Sequence, residues 1–152
     1  MSTTPPAVVP QSVRNATLAV WAMLGLLVFR VILTFAFADD LLDAYIGDNE
    51  ARKALPRELV EAAAPSYSGV AIGVLIIGAV LAFAALNLGK GARWARVVTV
   101  VFAALSLLGT VASLLAPTIA VLLIINILVG LLAVAVIVLV FSGEANRFFA
   151  AK

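Results

Sequence analysis

The chain contains no cysteine and no histidine. Disulfides, thiol redox chemistry, Cys or His nucleophiles and nearly every zinc, copper or haem ligand set are thereby excluded. Charge is scarce too: Asp, Glu, Lys and Arg make up 12% of the residues, against 64% that are apolar. A soluble domain with that balance would lack the polar surface that keeps it dispersed. No Asp or Glu falls inside any long apolar run, so no buried carboxylate is available to relay protons or pair with a buried cation. There is no P-loop, no nucleophile elbow and no carboxylate pair placed for acid–base work. The expectation is a non-enzymatic protein with no cofactor and no metal. The aspartates at 39, 40, 43 and 48 lack the alternating oxygen-ligand spacing of a calcium loop.

What is present is four apolar runs, at residues 16–38, 69–88, 94–115 and 118–141. Each has roughly twenty residues, enough to span about 30 Å of hydrocarbon at about 1.5 Å per residue. They are too long and too evenly apolar for barrel strands. The fold expected is all-α: an integral membrane four-helix bundle over residues 14–142. Residues 1–13, with Pro5, Pro6 and Pro10, read as a flexible tail, and residues 143–152 as a second tail.

The few charges sort by side. Arg14, Lys90, Arg93, Arg96, Arg147 and Lys152 flank one side, with Glu144 as the single acid. Loop 39–67 on the other side carries Arg52, Lys53 and Arg57 against seven acids. Basic flanks stay inside, which predicts cytoplasmic termini and an external 39–67 loop. Bases distributed in this way do not form one soluble face, which argues against a nucleic-acid partner. Within the external loop, the apolar spacing of Leu41, Leu42, Tyr45 and Ile46 predicts helix as far as Gly47. Pro56 predicts a second helix start, broken again at residues 65–68. Together these form a short helical cap. A competing reading takes Arg14, the apolar run and Ala36-Phe37-Ala38 as a cleavable secretory signal; the length of the run and the charge at Arg30 favour a retained helix.

Arg30 is the sharpest feature. In the first span it lies roughly 18 Å from the inner boundary and roughly 10 Å from the outer one. A charge at that depth costs about 2.5–3.5 kcal/mol, so it should face protein or water. Thr34 lies one turn further out on the same helix. Asn126 in the fourth run falls at about the same depth, roughly 12 Å from the outer boundary. Ser106, Thr110 and Ser113 of the third run share that half. Two readings stay open. Arg30, Asn126 and the hydroxyls form a site for an anion or lipid headgroup. Alternatively Arg30 is structural, bonded to Asn126, to carbonyls or to Asp39, Asp40 or Asp43.

Other positions speak to packing and the interface. Gly69 and Gly73 form a G-x-x-x-G pair, Gly109 and Ser113 a similar one, and Gly130 follows Asn126 at i+4; all are expected to let helices approach closely. Lys90, Arg93, Trp94 and Arg96 are expected at lipid headgroup level. Pro117 is expected in the first turn of the fourth helix.

The inner loop Gly91-Ala92-Arg93-Trp94-Ala95-Arg96 resembles that of small uncharacterised four-span membrane proteins of actinobacteria, as does the Ala- and Val-rich layout with a Pro-containing N-terminal tail. That resemblance implies a plasma-membrane protein and no particular activity. Arg30 in the first span and Asn126 in the fourth are similar to features of small four-span fluoride channels. This chain departs from them in lacking their glycine-rich first helix, in its longer outer loop and in its one-sided charge bias. The function expected is an accessory or interaction subunit of a larger envelope assembly, with membrane lipids and a membrane-protein partner or a second copy as partners. The alternative is a small channel or transporter for an anion or lipid, built on Arg30 and Asn126.

Overall fold

A computed structural model describes residues 8–151; Pro5 and Pro6 of the N-terminal tail lie outside the described residues, as does Lys152. The described residues form eight helices and no strand: α1 (Gln11–Ala36), α2 (Ala38–Ile46), α3 (Glu50–Lys53), α4 (Arg57–Ala63), α5 (Tyr67–Leu88), α6 (Arg93–Leu115), α7 (Ala120–Val140) and α8 (Gly143–Ala150). Four of them, α1, α5, α6 and α7, are long and apolar enough to cross a membrane.

These four pack in a square. α1 contacts α7 and α5, α6 contacts α7 and α5, and the α5–α6 edge is the least extensive. Each neighbour runs antiparallel to the last, which gathers Arg14, Lys90, Arg93, Arg96 and Arg147 at one end and loop 39–67 at the other. The exterior is apolar: Leu18, Ile72, Leu131 and Val138 are each at least 60% exposed. Water would not support such a surface over four helices, whereas hydrocarbon would.

The core is concentrated toward the basic end. Val13, Ala16, Val20 and Met23 of α1 meet Leu81, Ala84 and Leu88 of α5, Ala95 and Ala103 of α6, and Ala133, Val136 and Val140 of α7. Alanines at the contacts let the backbones come close. Toward the acidic end α1 has no buried residue past Leu27, α6 has none past Ala103, and α5 retains only Ala71 before Leu81. Only α7 remains buried along its length, at Leu122, Ile125 and Asn126. The bundle is therefore tight at its basic end and splayed at its acidic end.

Boundaries follow local chemistry, with four departures from expectation. First, α1 starts at Gln11, inside the segment expected to be a flexible tail, with Pro10 as its N-cap residue. Ser12 and Val13 are buried there. Second, residues 143–150 are not a loose tail but α8, capped by the Ser142 hydroxyl accepting from Ala145 N–H. Its Phe148 and Phe149 pack into the core. Third, Pro117 sits ahead of α7 rather than in its first turn, because Ala116 before it is extended (ψ 147°) and Ile119 is still extended (ψ 151°). Fourth, the cap contains the unexpected single turn α3, capped by Asn49. The other cap helices match their sequence signals: α2 ends before Gly47 (φ +48°) and Pro56 precedes α4. Leu41, Leu42 and Val60 bury themselves beneath the cap.

Candidate functional site

The splayed end encloses two adjoining cavities. The outer one, about 320 Å³, has Arg30 and Thr34 of α1, Val70 and Val74 of α5, Gly109 and Ser113 of α6, and Leu122 and Asn126 of α7 as its walls. Leu41 and Tyr45 of α2, Tyr67 of α5 and residues 116–118 form its rim and roof. The deeper one, about 200 Å³, is lined by Leu27, Ile77, Phe102, Leu105, Ser106, Thr110 and Val129. Arg30, Gly109 and Asn126 line both, so they stand where the two meet.

Arg30 is partly buried. Among the described residues, no carboxylate lies within ion-pairing distance of its guanidinium and no side-chain hydrogen bond is made by it. Two of the three loop aspartates that could have reached it are engaged elsewhere: Arg57 pairs with Asp43 at 2.9 Å and with Asp39 at 3.6 Å. Thr34 does contact Arg30, but at the backbone, its hydroxyl donating to the Arg30 carbonyl at 2.9 Å. That bond consumes the Thr34 proton and leaves an oxygen lone pair at the cavity wall.

Asn126 is only 7% exposed. Its side-chain amide also has no hydrogen-bonding partner among the described residues, although both cavities reach it. A direct Arg30–Asn126 bond, one of the structural readings, is therefore not formed. The Asn126 backbone is held instead: Thr110 Oγ1 lies 2.9 Å from the Asn126 carbonyl and 3.0 Å from that of Ser106, and its one proton serves one of them at a time. Ser113 donates to the Thr110 carbonyl at 2.7 Å. Ser106 lines the deeper cavity.

A fixed cation and an unpartnered carboxamide thus face one shared space bordered by hydroxyls. Arg30 brings five N–H groups and no acceptor, and Asn126 brings two more N–H groups, whereas the Thr34, Thr110 and Ser113 hydroxyls give their protons to backbone carbonyls. An anion about 4 Å from the guanidinium would gain about 4 kcal/mol at an effective dielectric near 20. The arrangement suits an anionic group and offers no general base.

Of the four glycines expected at helix contacts, only Gly130 is one. A Cβ there would lie 2.8 Å from Thr110 Oγ1 and Cγ2. Gly73 and Gly109 have open space where a Cβ would be, and Gly69 faces only its own helix cap at Ser66. The splay of α5 and α6 is the reason: G-x-x-x-G spacing permits close approach but does not supply the second helix.

The basic residues expected at headgroup level lie together, but two of them are turned inward upon α8. Arg93 donates to the carbonyls of Phe149 (3.3 Å) and Ala150 (3.4 Å), satisfying a helix C-terminus. Arg96 donates to Asn146 and lies over the rings of Phe141 and Phe149. Trp94 stacks on Phe83, with ring centroids 5.4 Å apart, and Lys90 is exposed in the loop.

Sequence reasoning did not find Tyr45, Tyr67 or Thr118 at the cavity. Tyr45 was legible in principle, standing one turn beyond Leu41 on the same face of α2. Tyr67 opens α5 and Thr118 lies in the α6–α7 connection, and the positions of both depend on the splay. Comparison with protein-family models, curated proteins and solved structures finds no match to the chain.

Proposed function

We propose that this is a membrane-embedded protein that binds and moves an anion or an anionic lipid through the cavities joined at Arg30 and Asn126. The observation that carries this reading is that Arg30, without a carboxylate partner among the described residues, and Asn126, buried and with an amide unpartnered among them, open on the same space. A cation at that depth is costly unless protein or a ligand compensates it. The basic flanks favour an orientation with both termini cytoplasmic and the cap outside, in the plasma membrane. The accessory-subunit expectation rested on the lack of a catalytic set and of titrating residues within the spans, and on small-residue faces suited to partners. With Arg30 and Asn126 in one cavity, the anion-or-lipid alternative has the better support. No intramembrane carboxylate is present to couple transport to protons.

Reconstitution tests it. Liposomes carrying the full chain should pass inorganic phosphate or translocate fluorescent phosphatidylglycerol faster than empty liposomes, and Arg30→Ala should cut the added rate at least tenfold. If neither probe moves, or if Arg30→Ala moves it at the original rate, the proposal fails.

A further inference from the structure

The cavity has a side door as well as a roof. Ile77 of α5 and Leu105 of α6 both line the deeper chamber. Yet Ile77 is 46% exposed and Leu105 is 59% exposed, so each also faces the outside of the bundle. The deeper cavity is half-open, and residues that line it while facing the apolar exterior border its open side. That opening lies on the α5–α6 edge, the least packed of the four, in the half where α6 has no buried residue.

The two ends of this passage differ in chemistry. Inside are the guanidinium of Arg30 and the amide of Asn126, flanked by Ser106 and Thr110. At the opening are the apolar side chains of Ile77 and Leu105. Toward the acidic end the route is roofed by Leu41 and Tyr45, and the loop beyond carries seven acids against three bases, a net negative charge that disfavours a free anion approaching from water. A free anion therefore meets an unfavourable approach at the roof and hydrocarbon at the side. An anionic amphiphile meets neither obstacle, because it arrives within the bilayer.

Resting on the proposed function, we infer that the ligand is an anionic lipid with a phosphate-ester headgroup. Its head sits between Arg30 and Asn126, and its acyl chain leaves through the gap between Ile77 and Leu105. The combined chambers fall within the usual size range of small-molecule sites. The guanidinium fork matches the two non-bridging phosphate oxygens, and an Asn126 N–H can donate to one of the same oxygens. No covalent step is involved.

Native mass spectrometry of the full chain, released from phosphatidylcholine nanodiscs holding a minor fraction of phosphatidylglycerol, tests this. One phosphatidylglycerol should be retained per chain in preference to phosphatidylcholine. Arg30→Gln should lower that retention at least tenfold, while Arg30→Lys, which keeps the charge but loses the fork, should retain more than Arg30→Gln and so guards against simple misfolding. Leu105→Trp, filling the opening, should lower it as well. Equal retention of both lipids, or retention indifferent to Arg30→Gln or to Leu105→Trp, overturns the inference. Inorganic phosphate separates the two levels. If phosphate binds in pure phosphatidylcholine nanodiscs and is lost in Arg30→Gln while phosphatidylglycerol retention is unmoved, the lipid inference falls and the anion site stands. If neither ligand depends on Arg30, both fall.

Discussion

Gly130 and Thr110 set the spacing of the wall that carries Asn126. The Thr110 side chain occupies the place a Cβ on residue 130 would take, with two of its atoms 2.8 Å from it. Thr110 is β-branched and on a helix, so its rotamer has little freedom to give way. Gly130→Ala should therefore destabilise the protein by about 1–3 kcal/mol through overpacking. It should also break the Thr110 hydroxyl contact to the Asn126 carbonyl. Adding Thr110→Ala should recover much of the loss, a coupling measurable by reversible unfolding in mixed detergents. Strict additivity of the two changes would show that the contact does not govern this wall. Gly130 was readable from sequence as a close-approach position, four residues beyond Asn126. Gly69, Gly73 and Gly109 have the same pattern without the contact, since the pattern says nothing of where the neighbouring helix diverges.

At the scale of elements, the four long helices were legible because twenty-residue apolar runs admit few other structures in lipid. The helix α8 was not, because eight residues with two phenylalanines and three charged or amide groups do not distinguish a tail from a docked amphipathic turn. Its fixing depends on distant partners: Arg93 and Arg96 on one side, and Glu144 accepting from Ser12 at 3.4 Å on the other. α8 thereby ties the start of α1 to the start of α6 across the tight end of the bundle. Phe149, 2% exposed, is its main anchor. Phe149→Ala should cost about 3 kcal/mol and loosen α8 from the bundle. Reversible unfolding reads the first effect, and faster proteolysis after Arg147 in detergent reads the second. A loss well under 1 kcal/mol would mean that α8 is not part of the cooperative unit.

At the scale of the whole molecule, the essential feature is the unequal packing of the two ends. The basic end is sealed by alanine contacts and α8, whereas the acidic end splays beneath a small helical cap and leaves Arg30 facing space. The sequence placed Arg30 and Asn126 at similar depth by counting residues along antiparallel spans, which is why that pair was legible. It could not tell whether the two side chains would bond directly, because that depends on the distance between α1 and α7 and on Asp39 and Asp43 being taken by Arg57. The most direct measurement of the central claim is the Nε–Hε resonance of Arg30 in phosphatidylcholine nanodiscs, assigned by its loss in Arg30→Lys. Adding phosphatidylglycerol or inorganic phosphate should shift that resonance saturably, and Asn126→Ala should weaken the response. A resonance that stays in place while both are added would contradict the account.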